Sequence, residues 1–261
     1  MKYLKYLQTA NDFEQFKNSE DYILPNVSYV VETEGVSFEP YVERPFEIEI
    51  PSPYVEWARI QHKNGTLYTA DEWLAAESAG TVTDADANGV AVLYSNYAVC
   101  PHVIHPKYSA DKHVWSHTLV EVPGVTTASD LAAAQLDVNG KANTDAILAA
   151  VADGTITNAP AAQYCAGVTF ADGQQGYLPA AGELQAWYDN KTAVNACMDV
   201  IGGDQVDNKN CRSSTQYSAS NAWYWFQYGR ILTNYDKNKS VSCARPVVAF
   251  DYSPKNEYSN K

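Results

Sequence analysis

Cations are scarce in this sequence: 18 Lys and Arg stand against 31 Asp and Glu, a formal charge of −13. That surplus repels phosphates over long range, which excludes nucleic acid or an anionic bilayer as the main partner. Long apolar runs are missing too. Nothing approaches the ~20 consecutive apolar residues of a membrane-spanning helix, so no membrane insertion is expected. Cysteines are few and dispersed (Cys100, Cys165, Cys197, Cys211, Cys243), with no CxxC pair. An odd number in a chain this long reads as reduced, buried thiols rather than a disulfide framework. Low-complexity runs, internal repeats, phosphate loops, Ser–His–Asp order and paired-carboxylate motifs are all lacking. The start, Met1 to Gln8, turns polar before a signal-peptide apolar stretch could form, so the sequence as given carries no export address.

What is present divides by texture. The first fifty residues read as a short helix over 9–17 followed by strand-like runs at 27–31, 36–38 and 46–50. Prolines at 25, 40, 45, 51 and 53 limit each run. This predicts a small β-rich attachment or oligomerisation module with its linker over residues 1–53, too short to bury much surface alone. From 54 to 261 the pattern is mixed α+β. Thr69 to Glu72 has capping-box spacing ahead of a helix, and Gly89 to Tyr94 reads as a strand. Thr126 to Ser129 is expected to cap an Ala-rich helix through Leu136, and Asn143-Thr144 another that stops at Gly154. Further helices are expected over 181–189, presenting Leu184, Trp187 and Tyr188 to a core, and over 193–201.

After Gly203 the chemistry changes. The stretch 216–235 is crowded with Tyr, Trp, Asn and Ser, and its alternation fits strands joined by turns. Consecutive aromatics such as Trp223-Tyr224-Trp225-Phe226 cannot share one face of a strand, so half of them should point outward. Tyr and Trp supply large contact area with few rotamers to freeze, and Ser and Asn supply adaptable hydrogen bonds, as in antibody paratopes.

The ordered series Tyr177-Leu178-Pro179, Gly182-Glu183-Leu184, Ser213-Ser214-Thr215-Gln216, Ala222-Trp223, Gly229 and Arg245-Pro246-Val247 resembles a known family. It is similar to the C-type-lectin-like variable proteins diversified by retroelements, within the formylglycine-generating-enzyme-like group of that fold, of the kind found in Bacteroidales and their phages. The resemblance runs over about 57–252, with its specific motifs between Tyr177 and Phe250. It implies a C-type-lectin-like domain over 54–261 with a variable region at about 213–247. It further implies that Ser218, Ser220, Asn221, Tyr224, Phe226, Tyr228, Arg230, Leu232, Asn234, Tyr235, Asp236 and Asn238 form the ligand-binding surface. Trp223, Gly229, Arg245 and Pro246 match fixed scaffold positions, and Trp225 fits either set. Two positions depart from the pattern. Arg212 stands where the family usually has Trp, and Cys243-Ala244 replaces more usual polar or Val residues, which leaves the facing of residues near the hairpin tip open by one.

Other chemistry is weighed and set aside. His102, His105, His113 and His117 cluster in sequence, and the spacing of the last two would suit a metal pair on a helix. Their flanks do not read as helix, however, and no Glu follows in the zincin position. The carboxylate-amide triplets of calcium-dependent sugar binding are lacking. Asp204 and Asp207 read as a solvated acidic loop. Cys211 and Cys243 flank the variable segment without the His or Lys neighbours that would lower a thiol pKa. The expectation is therefore a non-catalytic protein with no cofactor and no metal. It would recognise a host-cell surface protein or glycan, as a phage-tail host-recognition protein in a virion or as a bacterial surface adhesin. A trimer or a virion partner would engage the N-terminal module. A formylglycine-generating-type oxidoreductase is the rival from another class.

Overall fold

The computed structural model describes residues 56–252 together with two short strands nearer the N-terminus. The chain divides into two compact units, Met1–Val55 and Glu56–Lys261. In the first, β1 (Tyr6–Leu7) and β2 (Val30–Val31) pair in parallel. The helix expected over 9–17 and the strands at 36–38 and 46–50 lie outside the described residues.

The second unit is α+β, with two five-stranded sheets. One comprises β3 (Arg59–His62), β4 (Leu67–Tyr68), β5 (Ala87–Tyr94), β6 (Val99–Ile104) and β12 (Val247–Ala249), in the antiparallel order β12-β6-β5-β3-β4. The other comprises β7 (Lys112–His113), β8 (Cys211–Gln216), β9 (Asn221–Phe226), β10 (Ile231–Asp236) and β11 (Ser242–Cys243), in the order β10-β9-β8-β11-β7. It is antiparallel except where β8 and β11 run together, with Cys211 opposite Cys243. The helices are α1 (Ala70–Ser78), α2 (Leu131–Leu136), α3 (Gly140–Ala152), α4 (Pro160–Ala166), α5 (Ala181–Asp189) and α6 (Lys191–Val200).

Local capping explains the starts of α1 and α2. Thr69 Oγ1 accepts from Glu72 N at 3.1 Å while Glu72 returns a carboxylate to Thr69 N at 2.8 Å, the reciprocal box that the spacing implies. Two expected caps are corrected. α2 is capped by Asp130, whose Oδ1 accepts from Ala133 N at 2.8 Å. The Thr126–Ser129 stretch instead pairs with β8, through Gln216 N to Thr126 O and Ala128 N to Gln216 O. Asn143 and Thr144 lie inside α3, and their side chains reach across to other segments. Asn143 Oδ1 accepts from Thr126 N, and Thr144 Oγ1 accepts from Leu178 N and donates to Leu178 O. Cap-type residues placed mid-helix thus serve tertiary bonds.

β8 is the unusual element. Every residue of Cys-Arg-Ser-Ser-Thr-Gln is buried, although five of the six are polar. Such a strand is costly wherever a polar group is left unmatched, and most of these are matched. Ser213 Oγ donates to Trp223 O, and Thr215 Oγ1 donates to Asp137 Oδ2 at 2.6 Å. Thr215 Oγ1 also accepts from Ala181 N at 2.8 Å, serving as the cap that Ala180 has no side chain to provide. Gln216 accepts from Val122 N and donates to Val122 O, and its Oε1 also receives Lys237 Nζ at 2.9 Å.

Two apolar clusters flank this sheet. The larger joins both sheets to α1, α5 and α6 around Trp73, Trp187, Trp223 and Trp225. The smaller lies between α3, α4 and the segment holding Trp115, Val122 and Val125, and it takes Ala222 and Ala244 from the second sheet.

Replacing Thr215 with Val removes a donor to a buried carboxylate and an acceptor for a helix N-terminus with little change of volume. The expected loss is about 1–3 kcal/mol of unfolding free energy, read from urea denaturation. An unchanged midpoint would show that β8 does not anchor α5.

Candidate functional site

The hairpin β9–β10 is the exposed end of the second sheet. Its register pairs Phe226 with Ile231, Trp225 with Leu232, Tyr224 with Thr233, Trp223 with Asn234 and Tyr235 with Ala222. Directly paired residues share a face. Trp223, Trp225 and Leu232 therefore point one way, into the larger core, where the Trp225 ring stacks on Tyr188 at 3.3 Å. Tyr224, Phe226, Ile231, Thr233 and Tyr235 point the other way. At Ala222 this second face is covered by the smaller core; at Tyr228, Ile231 and Tyr235 it meets solvent.

On that outer face the rings form a continuous ladder of edge-to-face contacts. Tyr235 and Tyr224 have centroids 6.2 Å apart, Tyr224 and Phe226 6.2 Å, and Phe226 and Tyr228 5.8 Å. The geometry favours the ring quadrupoles and fixes each ring by its neighbours. Tyr228 is 81% exposed, Ile231 46% and Tyr235 43%, a cluster of large apolar groups in water. Tyr224 is itself almost covered. It sits over Arg212, whose guanidinium carbon lies 5.8 Å from the ring centroid. Arg212 is fully buried, with Nη2 donating to Asp236 O and Lys239 O, and its Nε and Nη1 find no partner. Burial lowers its pKa to about 10.

The turn Gln227–Arg230 closes with Arg230 N on Gln227 O, and Arg230 holds a left-handed φ of 51°. A side chain on Gly229 would press its Cβ to 2.8 Å from the Phe226 ring. Glycine thus lets the turn lie against the ladder.

The twelve residues expected to face a ligand do not form one patch. Tyr224, Phe226, Tyr228 and Tyr235 share the ladder, with Arg230 beside it at the tip. Ser218, Ser220 and Asn221 lie at the other end of β9, roughly 17 Å along the strand. There Ser218 Oγ meets Ser220 Oγ, and the Asn221 amide meets that of Asn234 at 2.9 Å. Asp236 and Asn238 are half-buried around the Arg212 strap. Leu232 is a correction: it is 2% exposed and packed in the core, because its pairing with Trp225 turns it inward. Ile231 and Thr233 take its place on the outer face. Strand parity was the missing signal, since Leu232 and Tyr235 cannot face the same way on one regular strand.

The remaining candidates lie away from the ladder. His102 accepts from Trp187 Nε1 at 2.7 Å and pairs with Cys100 O at 2.6 Å through Nδ1, and burial holds its pKa down at about 4. His113 is on β7 and His117 in the loop beyond, so their four-residue spacing does not share a helical face. His113 stacks on Tyr164, and His117 meets Asn158. Asp204 receives Tyr108 N, and Asp207 receives Asn195 Nδ2. Cys211 and Cys243 are free and buried side by side, and burial pushes the Cys211 thiol well above its ordinary value. Two clefts lie off the hairpin face. One, about 420 Å³, is lined by residues including Gln61, Asp172 and Phe250. The other, about 310 Å³, includes Tyr177 and Glu183. The Glu183 carboxyl, pushed up to about 8 by burial, already receives Tyr177 OH and Ala180 N.

Two outcomes follow from these placements. Leu232→Ala is expected to cost about 2–5 kcal/mol, whereas Tyr228→Ser should stay within about 0.5 kcal/mol; urea unfolding of both variants checks which way each residue points. His102 stays neutral when folded but gains a proton once unfolded below its ordinary value. Stability should therefore hold above pH 6.5 and fall between about pH 6.5 and 4, with a limiting slope near 1.4 kcal/mol per unit from this group. A loss of acid sensitivity in that window for His102→Gln, measured as denaturation midpoint against pH, checks the assignment.

No protein-family model matches the chain, and no curated protein sequence matches it. Among solved structures, a fimbrial protein from Bacteroides ovatus is similar in fold, with a TM-score of 0.51 at 11% sequence identity. The likeness covers 72% of this chain and 47% of that one, so the chain matches about half of the fimbrial protein's length.

Proposed function

We propose that this chain is a non-catalytic binding protein of the C-type-lectin-like, retroelement-diversified kind, and that the outer face of β9–β10 meets its ligand. The observation that carries the reading is the ladder Tyr235–Tyr224–Phe226–Tyr228 held on the exposed end of a sheet whose other face is core. Exposed apolar clusters of this size need a reason, and recognition is the usual one. Trp223, Trp225 and Leu232 carry the packing, so the exposed outer residues Tyr228, Ile231 and Tyr235 can change without touching the core.

The first sheet combines β3 and β4 from the start of the second unit with β12 from its end. The oxidoreductase rival is weakened by the burial of Cys211 and Cys243, since thiols sealed from solvent are poor nucleophiles, and burial also raises the Cys211 pKa. Of the two settings, a phage tail and a bacterial surface, the likeness to a fimbrial protein favours the second.

The triple variant Phe226→Ser, Tyr228→Ser, Tyr235→Ser should keep its circular dichroism and thermal midpoint while losing binding to bacterial cells or a cell-surface extract. Unfolding would make these residues core, and retained binding would place the site elsewhere. Diversification has its own test: an adenine-rich near-copy of the segment coding for 213–246 should lie beside a reverse-transcriptase gene.

A further inference from the structure

Local and global charge disagree at the hairpin. Between 208 and 250 six cations (Lys209, Arg212, Arg230, Lys237, Lys239, Arg245) stand against the single acid Asp236, while the rest of the sequence holds 12 cations and 30 acids. Lys237 and Arg245 are sunk in the core among carbonyls and aromatic faces. Arg230 at the tip and Lys239 on the strap beside Arg212 are exposed. Arg212 lies under Tyr224, and among the described residues no carboxylate comes within ion-pair distance of it. The ladder is thus a positively biased strip on an acidic molecule.

We infer that the occupant of this face is a protein surface with an apolar centre and an acidic rim; the inference rests on the binding function proposed above. Three features select that class. The strip is formed on an open sheet face, apart from the two clefts, which suits a broad partner over a small molecule. Phe226 and Ile231 lie at its middle and offer no hydrogen bond, so a sugar stacked there by its C–H face would find no side-chain donor or acceptor for its hydroxyls at these two positions. An apolar side chain would lose nothing there. Aromatic anchors with arginine at the edge are also the composition of protein hot spots. Carboxylates on the partner would meet Arg230 and Lys239 at the rim, where charges steer approach and orientation. A nucleic acid could use the same strip, but its extended charge would be repelled by the acidic remainder of the chain.

The test measures binding of the full chain to intact bacterial cells that it recognises. The cells are left untreated, digested with protease, or oxidised with periodate to destroy sugar diols. Protease should abolish binding and periodate should leave it. Arg230→Glu/Lys239→Glu should bind at least about tenfold more weakly at low salt, with the difference mostly gone near 0.5 M salt. The distant pair Lys63→Glu/Lys141→Glu, carrying the same change in net charge, should bind within about twofold of the parent. Loss after periodate would point to a glycan and overturn the inference, as would equal losses in both charge-reversed pairs or none in the first. Wild-type-like binding by the Phe226→Ser/Tyr228→Ser/Tyr235→Ser variant would instead sink the binding face itself.

Discussion

The second unit depends on burying a polar strand. β8 runs through the middle of its sheet with Arg, two Ser, Thr and Gln sealed from water. Leaving one such group unmatched costs about 1–3 kcal/mol. The requirement reaches outward. Thr215 fixes the start of α5 and ties Asp137 ahead of α3. Gln216 holds the 122–128 segment by backbone and side chain together. Asn143 joins Asp137 to Thr126 in the same network. Loops that would otherwise wander are thereby made part of the scaffold.

The same economy explains how cations survive in the interior. Arg245 is wrapped by His105 O, Pro106 O and the rings of Tyr108 and Trp187, and Lys237 by Val120 O, Gln216 and Trp115. Carbonyl dipoles and ring quadrupoles replace carboxylates in both places. Arg212 follows the pattern less completely, with two nitrogens unmatched. Its guanidinium is held by two backbone carbonyls and the Tyr224 ring alone.

Legibility in the sequence followed the range of the forces. Helix α1 was readable because its cap is closed within four residues, and α5 because Leu184, Trp187 and Tyr188 share one side. The outward set Tyr224, Phe226 and Tyr228 was readable from alternation within a single strand. On β10 the expected set mixed both parities, and only the pairing register with β9 decides between Leu232 and Ile231. Thr126, Asn143 and Thr144 looked like caps because their side chains suit local bonds, yet their partners lie up to some ninety residues away along the chain. Helix α4 had little signal of its own: seven residues beginning at Pro160 and leaning on the smaller core. Charge totals misled in one respect, since a chain-wide figure conceals a strip of opposite bias.

The pairing of β7 with β11 and of β6 with β12 has a kinetic side. Residues 112–113 wait for 242–243, and 99–104 for 247–249, before either sheet is complete. Contacts so distant in sequence make folding slow, on the scale of milliseconds to seconds. A hairpin such as β9–β10 closes locally within about 1–10 microseconds. The hairpin that carries the ladder is thus built from local contacts, while the pairings that complete both sheets join residues far apart in the chain.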